Sequence, residues 1–261
     1  MAKVQVSSPP GNGRLSRLPE AVTPYLQLMR LDRPNGYWYF WYPHAFGTLW
    51  AAIQQQSPVA DLVHVNLVLL WGNLVMRGAT CTWNDTADIE FDRKVTRCRG
   101  RPLARGARLL GALCVIRVDD WPTTAFYAAN VVWTLLYELV YSHQDAAEDM
   151  AAGVKNLVLL YARPQAATAA ERFGTMPLLR RLAVAQVLLL AASGALAGFG
   201  LGGYGAVAVA GTAAALATML GRVRLEDPES CAWWFRVGNI RYTGGAMTIG
   251  LMVEYVGRVP L

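Results

Sequence analysis

The chain has 261 residues, of which 54% are apolar or aromatic and only 16% charged, and its mean hydropathy is positive. This composition argues against an ordinary soluble domain and favours a membrane protein. The formal net charge is +6, but the basic residues lie in short loops between apolar runs and form no basic face, so the charge predicts membrane topology and not nucleic-acid binding.

The first 24 residues are polar and contain a short run rich in proline and glycine. They lack the apolar core of a secretory signal peptide and resemble a mitochondrial presequence only faintly. We therefore predict a disordered lead over residues 1–24, followed by a single transmembrane domain over residues 25–261.

Apolar segments that approach the roughly 20 residues needed to cross a bilayer recur along the chain. The predicted spans cover residues 36–54, 62–82, 121–141, 182–201, 203–220 and 243–256. A seventh apolar run, at residues 109–118, is too short to be a convincing span by itself. The sequence thus predicts an all-α, multi-pass bundle embedded in a lipid bilayer.

Two groups of basic residues flank these segments. One follows the second span and comprises Arg93, Lys94, Arg97, Arg99, Arg101, Arg105 and Arg108. The other precedes the span at residue 182 and comprises Lys155, Arg163, Arg172, Arg180 and Arg181. Short loops rich in lysine and arginine stay on the cytoplasmic side, so both loops are expected there, and the glycosylation sequon that begins at Asn84 is discounted.

An acidic segment lies between the second span and the first basic group. It carries Asn84, Asp85, Asp88 and Asp92. Residues three and four apart share one face of a helix, so a helix through this segment would place the three aspartates along one side.

A second acidic segment, at residues 141–156, repeats this spacing after the span at 121–141. Asp145 and Asp149 stand four residues apart, with Glu148 adjacent to Asp149. Acidic residues at a helix end beside a membrane often only stay hydrated, and for one cluster alone that alternative is as good as a functional role. Two clusters with the same spacing favour a polar cavity.

Hard cations such as Mg²⁺ prefer oxygen ligands, and they are commonly coordinated by protein oxygens and substrate phosphates together. Two carboxylate faces opposed across a cavity would therefore suit Mg²⁺ and a substrate that carries a diphosphate. The nearby Lys94, Arg97 and Lys155 are candidates to bind its remaining oxygens.

Three stretches of the chain resemble the UbiA superfamily of intramembrane aromatic prenyltransferases. They are LMRLDRPNGYWYFWYP at 28–43, RGATCTWNDTADIEFDRKVTRCRGRPLARGA at 77–107 and YELVYSHQDAAEDMAAGVKN at 137–156. The first acidic segment keeps the NDxxDxxxD pattern of that family complete. Where the family's second motif has aspartate, alanine and serine, this chain has Glu138, Ser142 and Asn156.

The resemblance implies a set of site residues. It makes Asp85, Asp88, Asp92, Asp145 and Asp149 the catalytic aspartates, which together with Asn84 would bind Mg²⁺. It also implies that Lys94, Arg97 and Lys155 contact the leaving diphosphate. Arg30 and Arg33 are candidates to contact polar groups of the substrate, with a purely topological role at the helix end as the favoured alternative.

The sequence of the first acidic motif most resembles that of fungal meroterpenoid enzymes. This resemblance implies transfer of a farnesyl-type chain from a prenyl diphosphate to an aromatic polyketide. An endoplasmic reticulum or Golgi membrane is then the expected location. The alternative is a 4-hydroxybenzoate polyprenyltransferase of ubiquinone biosynthesis in the mitochondrial inner membrane, whose motifs are the same.

The predicted spans are fewer than the family implies, since about two of its usual nine helices have no counterpart here. The shortfall falls after Gly106, where the chain offers only one short apolar run before Trp121. A truncated, inactive relative is therefore a second hypothesis. A transporter or channel is a third, which the position of the carboxylates at loop borders disfavours.

Overall fold

The computed structural model describes residues 26–27, 29–31, 35–87, 120–153, 156–161 and 174–259. All regular structure within these residues is helical, and they contain no strand, which confirms the predicted all-α class. The lead at residues 1–24 and the apolar run at 109–118 lie outside the described residues.

The described residues form eleven helical elements. The first six are α1 (Asn35–Gln55), α2 (Val59–Ala87), α3 (Trp121–Ser142), α4 (Ala146–Ala152), α5 (Leu157–Leu160) and α6 (Met176–Leu196). They are followed by π1 (Leu201–Val209), α7 (Ala210–Arg222), α8 (Pro228–Trp233), π2 (Trp234–Gly244) and α9 (Gly245–Arg258), where π marks a wider helical turn.

Within the described ranges, three helical stretches are long and apolar enough to cross a membrane: Val59–Thr82, Met176–Leu196 and Leu201–Arg222. The other predicted spans also fall on helices, at α1, α3 and α9. The span predicted at 182–201 begins and ends too late. Arg180 and Arg181, expected in a loop, lie inside α6, and the chain leaves that helix before Gly198, whose φ is 67°.

Local chemistry explains where two of these helices begin. Asp120 precedes α3 and accepts a hydrogen bond of 2.7 Å from the backbone N–H of Thr123, while Pro122 occupies the first turn, where its missing N–H costs nothing. Asp227 precedes α8 and accepts from the N–H groups of Ser230 and Glu229. These bonds, with Arg224 beside them, hold the pKa of Asp227 below its usual value.

The chain divides into two compact units, which are described separately. One unit comprises residues Met1–Tyr37 and Trp71–Cys114, and the other comprises Trp38–Leu70 and Val115–Leu261. The second unit holds the hydrophobic core, in which α3 packs along α6 and Trp133 is fully buried among aromatic rings of α1 and α3. A second apolar cluster joins Leu136, Leu179 and Leu216.

Within the second unit, α9 and π1 approach each other backbone to backbone. A Cβ atom at Gly250 would lie 2.3 Å from the amide nitrogen of Ala208, so only glycine fits. One turn further along α9, the carboxylate of Glu254 forms a 2.6 Å ion pair with the guanidinium group of Arg258. The same carboxylate accepts a 3.1 Å hydrogen bond from the N–H of Tyr204. This contact connects the second half of α9 to π1.

Buried polar groups in the long helical run from α8 to α9 include the amide of Asn239 and the thiol of Cys231. The side chain of Asn239 in π2 is 1% exposed, and neither atom of its amide has a hydrogen-bond partner among the described residues. The thiol of Cys231 in α8 is fully buried and donates to the carbonyl of Arg224 at 3.5 Å. Burial raises the pKa of this thiol to about 12.

Candidate functional site

The structure describes only part of the predicted site. Asn84, Asp85, Asp145 and Asp149 are within the described residues, as is Arg30. The remaining predicted site residues, namely Asp88, Asp92, Lys94, Arg97, Lys155 and Arg33, lie outside them. Asn84 and Asp85 belong to the first unit, and Asp145 and Asp149 to the second.

Asp85 lies in the last turn of α2 and is 1% exposed, whereas its neighbour Asn84 faces outward. The guanidinium group of Arg30 forms an ion pair of 2.5 Å with the Asp85 carboxylate. Arg30 is carried by a turn in which its N–H donates to the carbonyl of Gln27, and its φ of 52° places it in the left-handed region. Sequence reasoning did not foresee this pair.

Arg77 is a further charged residue at this site that sequence reasoning passed over. It lies in α2 within the membrane-span candidate Val59–Thr82, yet only 3% of it is exposed. Its Nη1 donates a 3.0 Å hydrogen bond to the carbonyl of Arg30, and a Cβ at Gly36 would lie 3.0 Å from its Nη2. Burying an arginine inside an apolar span costs free energy, so the presence of Arg77 in this apolar run could have indicated a polar site from the sequence.

In the second unit the acidic segment forms the short helix α4. Asp145 occupies the position before its first turn, Asp149 lies inside it, and the N–H of Asp149 donates to the carbonyl of Asp145 at 2.8 Å. Both side chains are partly exposed. The predicted spacing of one helical turn between the two aspartates is therefore present. Gly153, with φ of 74°, ends the helix.

Asn156 fixes the far side of this segment. Its Nδ2 donates a 2.7 Å hydrogen bond to Oδ2 of Asp149, and its Oδ1 accepts a 2.9 Å bond from the N–H of Leu159, which caps α5. The amide of one side chain thus connects the Asp149 carboxylate to the start of the next helix.

His143 fixes the near side. Its Nε2 shares a 2.8 Å hydrogen bond with Oγ1 of Thr175 at the start of α6, and both side chains are buried. Burial lowers the pKa of His143 to about 4, although the charge of Glu226 acts in the opposite sense, so the ring is neutral near pH 7. The helix that carries Asp145 and Asp149 is therefore held on both sides by polar contacts.

Carboxylate oxygens of this kind suit Mg²⁺, since that cation prefers oxygen ligands and keeps positions for phosphate and water. Within the described residues, no group of three or more histidine, cysteine, aspartate or glutamate side chains comes together. The six-residue ligand set proposed from sequence therefore stays a prediction, and the donors that are described are of the chemical type it requires.

Comparison with known proteins adds to this geometry. The model of the UbiA prenyltransferase family matches residues 40–116. A prenyltransferase of Acremonium egyptiacum, ascA, is 43% identical over 99 residues, which cover 38% of this chain and 30% of that protein. No solved structure shows significant similarity to the chain.

Two further relatives align along nearly the whole chain. The mitochondrial 4-hydroxybenzoate polyprenyltransferase of Saccharomyces cerevisiae is 28% identical over 309 aligned residues, 94% of this chain and 80% of that protein. Prenyltransferase stbC of Stachybotrys bisbyi is 26% identical over 324, covering 96% and 92%. Both alignments exceed the 261 residues of this chain, so both relatives carry internal residues with no counterpart here.

Proposed function

Because the chain is related to the UbiA prenyltransferase family, we propose that it transfers a farnesyl-type prenyl group from a prenyl diphosphate to an aromatic, polyketide-type acceptor. The observation that carries the proposal is the second acidic segment. There Asp145 and Asp149 stand one helical turn apart, partly exposed, on a helix that His143 and Asn156 hold from either side.

The proposed divalent cation is Mg²⁺, which when bound would neutralise charge on the diphosphate and act on it as a Lewis acid. The residues proposed to hold it are Asn84, Asp85, Asp88, Asp92, Asp145 and Asp149. Those proposed to bind the diphosphate oxygens are Lys94, Arg97 and Lys155, with Arg33 as a contact to polar groups of the substrate.

In the proposed reaction the bond between the allylic carbon and the diphosphate oxygen breaks, and the diphosphate leaves with the bonding electrons. The electron-rich ring of the acceptor attacks the allylic cation, forming a carbon–carbon bond, and loss of the ring proton restores aromaticity. Basic side chains stabilise the departing anion, and the apolar helices keep water from the cation.

A second candidate function is the prenylation of 4-hydroxybenzoate. It is supported by the yeast relative, whose name gives that activity and whose alignment covers 94% of this chain. The polyketide-type acceptor is supported instead by the sequence of the first acidic motif, and the similarity to prenyltransferases of Acremonium egyptiacum and Stachybotrys bisbyi supports prenyl transfer itself. The location proposed with it is the endoplasmic reticulum or Golgi, which fractionation of cells against mitochondrial markers tests.

A direct assay tests the proposal. Membranes containing the protein are incubated with farnesyl diphosphate, Mg²⁺ and a panel of phenolic acids that includes 4-hydroxybenzoate, and products are identified by mass spectrometry. A prenylated product that disappears when the metal is chelated is expected. Absence of product, while a full-length relative is active in parallel, contradicts the proposal and favours the inactive-relative hypothesis. Sequencing the transcript around codon 107 then shows whether two further helices are encoded.

A further inference from the structure

The hydrogen bonds of Asn156 give it two tasks at once. Its Oδ1 accepts from the N–H of Leu159, which satisfies one of the unpaired donors at the start of α5. Its Nδ2 then points the other way and reaches Oδ2 of Asp149 at 2.7 Å. If the amide were flipped, its NH2 group would face the N–H of Leu159 and its oxygen would face the carboxylate of Asp149. Neither contact could form a hydrogen bond, so the two partners determine the orientation of the amide.

This arrangement restricts the Asp149 carboxylate. A carboxylate near the end of a short helix can rotate about two side-chain bonds, and a charge-assisted hydrogen bond to a fixed donor removes much of that freedom. The donor is neutral, unlike a lysine or arginine, so this hydrogen bond orients the carboxylate without adding a positive charge to it. Partners of this kind behind a metal ligand orient it and raise the affinity of the site.

We infer that Asn156 is a positioning residue, which orients the carboxylate of Asp149 for binding a divalent cation. The inference rests on the proposed function for the metal role of Asp149. It concerns a position at which this chain differs from its family motif, since the resemblance places serine there. A serine hydroxyl can still cap α5, but it is one bond shorter and does not reach Asp149 while it does so.

Two substitutions separate the two tasks of Asn156. Asn156→Ser keeps the cap and loses the bond to Asp149, because serine and asparagine cap helices about equally well. Asn156→Ala loses both, and loss of the cap is expected to lower Tm by about 2–4 °C in a chain of this size. Both proteins, and the wild type, are purified in lipid nanodiscs for binding of Mn²⁺, a paramagnetic substitute for Mg²⁺, followed by electron paramagnetic resonance.

Both variants are expected to bind Mn²⁺ about tenfold more weakly than the wild type, while only Asn156→Ala loses thermal stability. In the prenyl-transfer assay the Mg²⁺ concentration for half-maximal rate rises by a similar factor, and kcat at saturating Mg²⁺ changes little. When Asp149 is already Asn, the further change Asn156→Ser is expected to leave Mn²⁺ binding unaltered, because the residue acts through Asp149.

Wild-type affinity for Mn²⁺ in Asn156→Ser overturns the inference, and so does an effect of Asn156→Ser that persists in the Asp149→Asn protein. A wild-type protein that binds Mn²⁺ but forms no prenylated product contradicts the proposed function and leaves the inference standing. A wild-type protein that binds no Mn²⁺ contradicts both.

Discussion

The guanidinium group of Arg30 lies 2.5 Å from the carboxylate of Asp85, although 55 residues separate the two along the chain. Asp85 is 1% exposed, and the pair therefore offsets a buried negative charge in the first acidic motif. Arg30 makes this contact from a left-handed backbone conformation, which costs a residue other than glycine about 1–3 kcal/mol. Arg77 supports that conformation by donating to the Arg30 carbonyl.

Removing the positive partner should destabilise the protein. Breaking a buried pair from one side costs about 3–5 kcal/mol, and because a quarter of the Arg30 side chain is exposed we expect about 1–3 kcal/mol for Arg30→Gln. Adding Asp85→Asn should restore most of the lost Tm, since the buried negative charge that Arg30 offsets is then gone. The control is Arg224→Gln, which breaks the exposed pair with Asp227 and should leave Tm close to that of the wild type. An Arg30→Gln protein as stable as the wild type would show that the pair has no structural weight.

Substitution of the α4 aspartates should abolish activity without unfolding the protein. Asp145→Asn and Asp149→Asn keep the size of each side chain and remove its charge, and both side chains are partly exposed. We expect kcat to fall by at least about a hundredfold for each, as for loss of a group that stabilises developing charge, with Tm within about 2 °C of wild type. Asp61→Asn, at the exposed start of α2, is the matched control and should keep full activity. Retained activity in both site variants would remove these residues from the metal site.

The contact between His143 and Thr175 should contribute measurably to stability. Thr175→Val preserves shape but deprives Nε2 of His143 of its partner, and Nδ1 has none among the described residues. An unsatisfied buried polar group costs about 1–3 kcal/mol, which corresponds to about 2–4 °C of Tm for each kcal/mol. Thr218→Val is the control, because Thr218 is exposed and bonds only to its own helix at the carbonyl of Ala214. Equal Tm values for the two variants would argue against this anchor.

Two glycines of α9 should respond oppositely to alanine. At Gly250 the new Cβ would meet the Ala208 backbone at 2.3 Å, so α9 must move away from π1 and we expect a loss of about 3 kcal/mol or more. At Gly257 nothing lies within 4 Å of the added atom, and alanine should stabilise the helix by about 0.5–1 kcal/mol. Thermal unfolding in detergent measures both. A Gly250→Ala protein that melts like Gly257→Ala would contradict the close approach of the two helices.

The buried amide of Asn239 should cost stability. Neither of its amide atoms has a partner among the described residues, so Asn239→Leu removes an unsatisfied group. The free energy of unfolding should increase by about 1–3 kcal/mol, and Tm should rise with it. Asn66→Leu is the contrasting control, since Asn66 donates to Thr48 and to the carbonyl of Leu62 and its loss should lower Tm. If Asn239→Leu stabilises the protein and also lowers prenyl transfer, the amide is retained for activity. A lower Tm for Asn239→Leu would show that the group is satisfied.

The sequence predicted the features that depend on neighbours along the chain. Helices α1 and α3 lie within one or two residues of their predicted limits, because apolar runs of bilayer length are bounded by turn and capping residues such as Asp120. The turn between Asp145 and Asp149 follows from their spacing alone. The predicted limits of α6 are wrong because Arg180 and Arg181 lie inside the helix, near its start, where long basic side chains can extend toward water.

The contacts that organise the site depend on residues distant in sequence, and periodicity cannot predict them. Nothing local to Arg30 indicates that it pairs with Asp85, and nothing local to His143 indicates Thr175. The sequence shows Asn156 only as a departure from the family motif. Its role depends on the orientation of its amide, which is set by its two partners, Asp149 and Leu159. The close approach of Ala208 in π1 to Gly250 likewise joins residues that are far apart in the sequence.

The rate at which the buried thiol of Cys231 is alkylated should report how fast the C-terminal helices open. Burial raises the pKa of this thiol to about 12, so very little of the reactive thiolate forms at pH 8, and the sulfur is also shielded from solvent. A water-soluble alkylating reagent should therefore modify Cys231 only as fast as α8 detaches. Mass spectrometry of that one peptide would time this motion in an intact membrane, with no label attached beforehand.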